Sequence, residues 1–381
     1  MNAKPVRVTF LGLRGFPGVQ GGVETHAEHL CPLLAALGCD VEVIVRSPYQ
    51  GDAFRQSWNG VHFKPLWSPK SKGLEAVLHT LLGVLYAGFI RRPDVLHIQA
   101  IGPALMTPLA RLLGLRVVVT HHGPDYDRQK WGRFARLALR LGERFGMRWS
   151  NGRIVISEVI HSLVRKQHGI GSTLIPNGVR LPEIPASTKA LDQFGLTPGK
   201  YILLVSRLVP EKRHLDLIEA FRRSGLVNWK LAIVGASDHP DAYTRQVLEI
   251  AADTPGVICT GFQSGQELRE LYAHAGMFVL PSSHEGLPIA MLEALSYGLP
   301  VIASAIPANL EVGLPEEHYF PLGDVAALAA RLCEFAARPL PPDSREARRA
   351  WVSRRFDWET IARQTMAVYR AAISGQHASG N

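Results

Sequence analysis

The chain has 381 residues, of which 46% are hydrophobic and 20% charged. This is the composition of an ordinary globular protein, and the length suits two domains of ~150–200 residues each. The net charge of +9 indicates anionic partners, such as phosphates, lipid head groups or nucleic acid. The four cysteines form no C-x-x-C pair, which argues against a zinc site or a thioredoxin motif, and reduced thiols would fit a cytoplasmic protein.

Two apolar segments resemble export or membrane signals at first sight. The N-terminal one is short and ends at Arg14, so it predicts a buried strand and not a signal peptide. The other, from Leu74 to Ile90, contains Glu75 and His79 and is shorter than the ~20 residues of a membrane span. It predicts a buried or interfacial helix. We therefore expect a cytoplasmic protein that can rest on the inner face of the plasma membrane.

The first half of the chain alternates short apolar runs with longer amphipathic segments, which is typical of a parallel sheet built from βαβ units. The pattern lapses around residues 175–198, where Pro and Gly accumulate and a linker is predicted. The predicted strands are Val6–Leu11, Val41–Val45, Val95–Ile98, Val117–Thr120 and Ile154–Ile156, with helices such as Val23–Leu37 and Pro103–Leu113 between them.

The alternation then restarts, so we predict a first domain over residues 1–180, a linker over 181–198 and a second domain over 199–356. A last helix over residues 357–374 is expected to pack back on the first domain. The second domain has predicted strands Tyr201–Ser206, Leu231–Val234, Val257–Thr260, Met277–Leu280 and Val301–Ala303, and predicted helices Lys212–Arg223, Asp241–Ala252, Gly265–Ala275 and Pro288–Tyr297.

Two successive doubly wound units predict an α/β protein whose sheets turn their carboxyl ends toward one interdomain cleft, where ligands of such sheets bind. The first strand leads into the loop LGLRGFPGVQGGVETHAEHL. Gly21 and Gly22 let backbone approach a ligand, and the helix that follows favours an anion at its start. A tight structural turn explains the same glycines equally well. The loop is not G-x-G-x-x-G, so a dehydrogenase is not indicated.

A stronger signal is the segment PSSHEGLPIAMLEALSYGLPVIAS. Glu285 precedes a short turn, and Glu293 lies on the helix that follows, among Leu292, Ala294 and Leu295. A carboxylate buried in such surroundings needs a partner, and ribose hydroxyls are good donors. The frame of Gly and Pro around the two acids argues against chance spacing.

Two cations belong to the segment SRLVPEKRHLDLIEAF. Arg207 follows a predicted strand and Lys212 begins the next predicted helix, so both are expected at the carboxyl end of the second sheet. Arginine offers a planar fork for phosphate and lysine a point charge. Taken alone, such a pair is more often a solvated surface pair.

These segments together resemble glycosyltransferase family 4, which has the GT-B fold of two Rossmann-like domains. The resemblance covers nearly the whole chain and is most specific in the second half, where Glu285 and Glu293 match the family's E-x7-E. In the first half it includes Gly21–Gly22, His121 in VVVTHHG, Ser157 and IPNGV. After NGV many members have Asp, where this chain has Arg180, so no donor role is carried onto that position. RGFPGVQGGVETHAEHL and HHGPDYDRQKWGRF are similar to rhamnosyltransferase-like enzymes of bacterial surface polysaccharide synthesis.

The resemblance implies a retaining, metal-independent transfer from a nucleotide-diphosphate sugar to a glycan or polyprenyl-diphosphate-linked acceptor. Arg207 and Lys212 would hold the diphosphate and neutralise the leaving group, Glu285 would hold the donor sugar, and Glu293 the ribose. His121 would contact the donor sugar. The remaining donor-binding residues would be Gly21 and Gly22 over the phosphates, Gly235, Gly261 and Phe262 around the base, and Gly286 and Leu287 beside Glu285.

No cofactor and no metal are expected. Asp125 and Asp127 form a D-x-D, the metal signature of the other main glycosyltransferase fold, but such triplets arise by chance and lack a further cluster of oxygen ligands here. Arg207 and Lys212 already supply the charge that a metal would bring. His122, next to His121, is interpreted as structural.

Two other functions compete with this interpretation. A nucleotide-sugar epimerase of the same fold would share the carboxylates but need no acceptor. A basic nucleic-acid-binding protein would explain the net charge, but it predicts aromatic residues interleaved with basic ones or a recognition helix. Neither pattern is present, so no nucleic-acid partner is expected.

A basic stripe follows the His121 segment. Arg133, Arg136, Arg140, Arg144 and Arg148 recur at three- and four-residue spacing, with Leu137, Leu141 and Phe145 beside them and Trp131 and Phe134 near the start of the stripe. On a helix these side chains would form a basic face edged by apolar groups, which suits an anionic membrane surface. A solvated helix face is the alternative. The acceptor hypothesis is that this helix docks on the inner leaflet.

Overall fold

A computed structural model describes residues 4–50, 54–69, 74–127, 132–237, 239–338 and 342–375. The chain divides into two compact units. The first comprises Met1–Asn177 and Trp358–Asn381, and the second comprises Gly178–Asp357. Each unit is an α/β domain built on one sheet.

The first unit holds an eight-stranded sheet in the order β3-β4-β2-β1-β5-β6-β7-β8. Every pairing is parallel except that of β3 with β4. The strands are β1 Val6–Leu11, β2 Cys39–Arg46, β3 Ser57–Trp58, β4 Val61–Leu66, β5 Val95–Gln99, β6 Val117–His121, β7 Gly152–Val155 and β8 Thr173–Leu174. The helices are α1 Gly22–Ala36, α2 Leu74–Tyr86 with a π-helical end over Ala87–Arg91, α3 Thr107–Leu112, α4 Arg133–Trp149 and α5 Glu158–His168.

Central strands of this sheet are buried along their whole length, as expected where helices cover both faces. Local signals set the helix ends. Ser157 caps α5 by accepting the Ile160 N–H at 3.3 Å, and Gly169 ends it in the left-handed region at φ 63°. Ser157, predicted on the family pattern, therefore has a structural role in the fold.

The segment Leu74–Arg91 is long and apolar enough to cross a membrane by length and composition, with 39% of it buried. One side of it packs closely on the sheet, since a Cβ at Gly83 would lie 2.3 Å from Leu11 Cδ1 of β1. This agrees with the predicted buried or interfacial helix.

The second unit holds a six-stranded sheet in the order β11-β10-β9-β12-β13-β14, parallel throughout. Its strands are β9 Tyr201–Val205, β10 Lys230–Val234, β11 Val257–Gly261, β12 Met277–Leu280, β13 Val301–Ser304 and β14 Tyr319–Phe320. Its helices are α6 Lys189–Gln193, α7 His214–Ser224, α8 Ala242–Asp253, α9 Gly265–Ala273, α10 Ile289–Ser296, α11 Pro307–Leu310, α12 Val325–Ala337 and α13 Pro342–Arg355.

The last helix, α14 Trp358–Ser374, belongs to the first unit. The Tyr369 hydroxyl lies 2.6 Å from His97 Nδ1 of β5, and the Trp358 ring packs edge-on against His26 of α1. Residues 181–198, predicted as a linker, lie in the second unit and include α6. The reason is that Ala190 and Leu191 are buried, so this Pro-rich segment contributes to a core.

Buried neutral histidines predict a loss of stability in acid. Burial holds the pKa of His26 at about 4, that of His214 at about 3, and that of His97 well below its ordinary value. As the pH falls from 6.5 towards 4, the unfolded chain binds protons that the folded chain does not. Each such histidine then costs ~1.4 kcal/mol per pH unit.

We therefore expect the Tm to fall steadily between pH 7 and pH 5. Burial raises the pKa of Glu28 and Glu42, which acts in the opposite direction but involves fewer groups. The control is His214→Gln, whose Tm should change less steeply with pH. A Tm that is constant or rises as the pH falls over this window would contradict the prediction.

Candidate active site

The predicted donor-binding residues of the second unit line one edge of its sheet. Phe262 directly follows β11, Gly235 directly follows β10, Arg207 comes shortly after β9, and Glu285 lies in the loop after β12. All these strands run parallel, so their carboxyl ends share that edge. The strand order reverses between β9 and β12, which is where ligands of doubly wound sheets bind. Arg207 and Glu285 stand on either side of this point.

Lys212 and Glu285 form a direct ion pair, with Lys212 Nζ 2.5 Å from Glu285 Oε1. Their side chains are only 19% and 10% exposed, so solvent screens the pair weakly. The loop carrying Glu285 is tied to the turn carrying Lys212, since the Ser283 N–H donates to the Glu211 carbonyl at 2.8 Å. Two residues predicted to share a site are thus held together by backbone as well as charge.

The turn that carries Lys212 differs from the prediction. Lys212 ends a 3-10 turn over Pro210–Lys212, and α7 begins at His214 and not at Lys212. The break occurs at Arg213, which adopts the left-handed conformation at φ 51° and pairs with Asp216 at 2.5 Å. Across this break, Lys212 pairs with Glu285, whereas Arg213 pairs with Asp216.

The start of α7 is anchored by a buried hydrogen-bond chain. Ser206 Oγ lies 2.9 Å from His214 Nε2, and His214 Nδ1 lies 3.2 Å from the Tyr243 hydroxyl. Burial, together with the smaller effect of the Lys212 charge, lowers the pKa of His214 to about 3. The imidazole of His214 behind the Lys212 turn is therefore neutral, and it adds no positive charge that would repel Lys212.

Glu293 lies on α10 but is less buried than predicted. It is half-buried, whereas its neighbours Leu292 and Leu295 are fully buried. One of its oxygens accepts the Tyr272 hydroxyl at 3.0 Å, and the Tyr272 ring stacks on Tyr297 at 5.2 Å. The carboxylate is therefore oriented by the domain itself, and the predicted contact with ribose stays a prediction.

The residues predicted around the base also lie at this edge. The Gly235 N–H donates to the Gly261 carbonyl at 2.8 Å, which joins the ends of β10 and β11. Phe262 is 41% exposed, so its ring is accessible for stacking. Beside Glu285, Gly286 is half-buried and Leu287 is buried.

In the first unit, the Gly21–Gly22 loop is braced by a buried ion pair. Arg14 Nε lies 3.1 Å from Glu24 Oε1, and Arg14 Nη2 donates to the Gln20 carbonyl. Burial pushes the pKa of Glu24 upward, but the charge and hydrogen bonds of Arg14 outweigh it, so this pKa is lowered. The loop is therefore fixed by an ionised pair directly beneath Gly21.

The two glycines differ in what a side chain would meet. A Cβ on Gly21 would lie 2.1 Å from Glu24 Oε2 and 2.5 Å from Arg14 Nη2, whereas a Cβ on Gly22 would meet nothing within 4 Å. We expect Gly21→Ala to cost ~1–3 kcal/mol of stability through overpacking, and Gly22→Ala to leave the Tm unchanged. Thermal unfolding of both variants checks this. Equal Tm values for Gly21→Ala and the wild type would contradict it.

His121 ends β6 and is fully buried. Its Nδ1 accepts the Gly123 N–H at 3.1 Å, and its Nε2 lies 3.5 Å from Glu143 Oε2. Both ring nitrogens thus face protein groups, and a contact between this ring and a sugar stays a prediction. His122, interpreted as structural, is half-buried, and its Nε2 lies 2.7 Å from Gln99 Oε1.

Asp125 and Asp127 lie in a 3-10 turn after β6. Within the described residues, no group of three or more His, Cys, Asp or Glu side chains could hold a metal ion. The D-x-D triplet therefore gains no further ligand from the part of the chain that is described.

Comparisons with known proteins agree with this arrangement. The family described as "Glycosyltransferase Family 4" matches residues 20–182, and that described as "Glycosyl transferases group 1" matches residues 189–353. The two matches together cover most of both units. The chain belongs to glycosyltransferase family 4.

Similar curated proteins are transferases or synthases that act on sugars. Alpha-maltose-1-phosphate synthase of Mycobacterium tuberculosis is 28% identical, over 96% of this chain and 99% of its own length. O-antigen chain mannosyltransferase B of Escherichia coli is 26% identical, but over 50% of this chain and 51% of its own length.

Solved structures support the GT-B fold of this glycosyltransferase. Sucrose-phosphate synthase from Thermosynechococcus elongatus aligns with a TM-score of 0.79 at 23% identity, covering 97% of this chain and all of that one. Anabaena HepE in complex with UDP-glucose aligns with a TM-score of 0.78 at 17% identity, covering 96% and 99%. The predicted fold class is confirmed.

Three residues of the glycosyltransferase were not predicted from its sequence. Tyr272, which orients Glu293, is remote from it in the chain and gives no sequence signal. Glu24 follows the glycine loop, and an acid in the first turn of a helix is ordinary. Glu143 is embedded in a run of arginines on an amphipathic helix, and nothing in that pattern indicates its burial.

Proposed function

We propose that this glycosyltransferase moves a sugar from a nucleotide-diphosphate donor to a glycan or lipid-linked glycan acceptor in bacterial polysaccharide synthesis, with retention of configuration and without a metal ion. The observation that carries the proposal is the Lys212–Glu285 pair beside Arg207 at the switch point of the second sheet. HepE binds UDP-glucose, and the Escherichia coli relative is a mannosyltransferase of the O-antigen chain, which supports this class of donor and product.

The chemistry requires stabilisation of a departing nucleoside diphosphate. Negative charge develops on the phosphate oxygens as the bond to the anomeric carbon breaks, and fixed cations stabilise it without reorganisation. Arg207 and Lys212 hold that phosphate in the proposal. Glu285, whose position is fixed by Lys212, accepts hydrogen bonds from the donor sugar, and Glu293 accepts those of the ribose.

Retention follows from attack on the face that the leaving group vacates. The acceptor oxygen bonds to the anomeric carbon as the phosphate departs from the same face, and the acceptor proton passes to a phosphate oxygen. No protein base is needed in this step, because the leaving phosphate takes the proton. A cytoplasmic location is part of the proposal, since nucleotide sugars are cytoplasmic metabolites.

The test of the proposal is a thermal-shift panel of nucleoside diphosphates and their sugars, because a ligand of the folded state raises the Tm. One base should raise the Tm more than the others. Glu293→Ala should abolish that shift, whereas Glu285→Ala should keep the nucleotide shift and lower turnover. If no nucleotide shifts the wild type, or if both variants retain full transfer, the site assignment is wrong.

The epimerase alternative is distinguished by the need for an acceptor. An epimerase converts the donor sugar when no acceptor is present, whereas the proposed transferase releases nucleoside diphosphate at a high rate only with acceptor. Following both donor isomers and free nucleotide, with and without a glycan acceptor, separates the two.

A chelator should not affect the reaction, because Arg207 and Lys212 supply the charge that a divalent ion would otherwise bring. We expect the wild-type rate in excess EDTA and no stimulation by added Mg²⁺ or Mn²⁺. Loss of activity in EDTA that Mn²⁺ restores would overturn this, and Asp125→Asn and Asp127→Asn would then show whether the D-x-D holds the ion.

A further inference from the structure

One surface of the first unit combines charge and exposed apolar groups without a partner. We define the α4 face as Arg133, Phe134, Arg136, Leu137, Leu141 and Arg144. Its arginines are all exposed, Phe134 is 90% exposed and Leu137 56%. In the described part of the chain, no carboxylate lies within ion-pair distance of these three arginines. Some exposed arginines elsewhere do form ion pairs, as Arg222 and Arg223 do with Glu219.

The fold itself holds this face outward. A Cβ on Gly142 would lie 2.1 Å from the Ile101 carbonyl, and one on Gly146 would lie 2.8 Å from Ala104 Cβ, so α4 packs tightly on its glycine side. Glu143 on the same inner side lies 2.8 Å from His168 Nε2. These contacts fix the rotation of α4 and leave its arginines and Phe134 turned to solvent.

We propose that the α4 face docks the enzyme on an anionic lipid bilayer. The arginines match the charge of acidic head groups, and the exposed apolar side chains at the same end of the helix can enter the boundary between head groups and acyl chains. A nucleic acid would satisfy the arginines but would leave Phe134 and Leu137 in water, so the apolar groups favour lipid.

Docking through the α4 face would bring a lipid-linked acceptor close to the carboxyl edge of the first sheet. The segment that ends at His121 on the carboxyl edge of the first sheet leads through the Asp125–Asp127 turn into α4. The helix therefore begins on the side of the unit where the Gly21–Gly22 loop also lies. A bilayer held at this end would bring a lipid-linked acceptor to that edge, which extends the proposed function.

The experiment is co-sedimentation of the full chain with phosphatidylcholine vesicles that contain none or about 40% phosphatidylglycerol, without donor or acceptor. Binding should rise with the acidic lipid and weaken in high salt. Arg133→Glu, Arg136→Glu and Arg144→Glu together should weaken it by about tenfold or more. Phe134→Ser with Leu137→Ser should weaken it at every salt concentration, because an apolar contact is not screened.

The matched control replaces Arg222, Arg223 and Arg363 by Glu, which changes the net charge equally on other helices. Equal losses in both triple variants would show general electrostatic attraction and overturn the assignment to α4. Recovery in the supernatant with all vesicles would also overturn it, and binding of the wild type to poly-U RNA alone would favour nucleic acid instead. Because no sugar substrate is used, these outcomes leave the proposed transfer reaction untested and intact.

Discussion

Replacing Lys212 by Ala should lower kcat by ~10²-fold or more, since one preorganised charge at the leaving group is lost. Arg207→Ala should have an effect of the same order. Because the interaction strengthens as the diphosphate departs, kcat and kcat/KM should fall together. The measurement is the acceptor-dependent release of nucleoside diphosphate under saturating donor.

Arg213 provides the control for this prediction. It is the next residue to Lys212 and carries the same charge, but Asp216 already neutralises it at 2.5 Å. Arg213→Ala should therefore retain activity within a few-fold of the wild type. Full activity in the Lys212→Ala/Arg207→Ala double variant would refute the diphosphate role of both cations.

The ion pair adds a second expectation. Lys212→Ala leaves the nearly buried Glu285 carboxylate without its counter-charge, so part of the loss should come from Glu285 and not from the missing cation. The effects of Lys212→Ala and Glu285→Ala should thus be less than additive in a double-mutant cycle. Strictly additive effects would show that the two residues act independently.

How far the sequence predicts this site depends on how local each signal is. Ten of the fourteen strands that the structure describes were predicted within a residue or two, because runs of Val and Ile between turn residues are local signals, whereas the two-residue strands β3, β8 and β14 were not predicted. The strand β4 was missed, since Val61–Leu66 contains Pro65 and several exposed positions, as an edge region or loop would. Helix α4 and the exposure of its five arginines were predicted from spacing alone and are confirmed.

The contacts within the site were beyond the sequence for a physical reason. The pairing of Lys212 with Glu285 depends on β9 and β12 being neighbours, and strand order is a property of the whole sheet. The contact between His121 of β6 and Glu143 of α4 likewise depends on how these two elements pack in the folded unit. Sequence patterns identify residues with unusual chemistry, but only the topology shows which of them meet.

Glu143 is the residue whose contacts, invisible in the sequence, have the largest expected consequence for function. It is 1% exposed, and it lies 2.8 Å from His168 Nε2 and 3.5 Å from His121 Nε2. Burial pushes its pKa upward, but hydrogen bonds and charge from His121, His168 and Tyr126 prevail and lower it. An ionised carboxylate therefore lies between the end of β6 and the end of α5.

We expect Glu143→Gln to fold but to lower turnover by ~10–10²-fold, because a small displacement of the His121–Tyr126 loop misplaces groups at the carboxyl edge of the first sheet. The amide presents an N–H to a histidine N–H, so one of the two contacts is lost while the size of the side chain is kept. The Tm shift caused by nucleoside diphosphate should stay at its wild-type value, since the residues proposed to bind nucleotide belong to the second unit. This separation of binding from turnover distinguishes positioning from general loss of structure.

The matched control is Glu158→Gln, since Glu158 also pairs with a histidine, His161 at 3.4 Å, but is largely exposed. That variant should turn over at nearly the wild-type rate, because an exposed pair is worth little and its partner can bind water instead. A Glu143→Gln enzyme with full activity would show that the carboxylate only fills space. A Glu143→Gln enzyme that loses nucleotide binding and turnover together would show that it supports the whole fold, and His121 would then have no separate role to be positioned for.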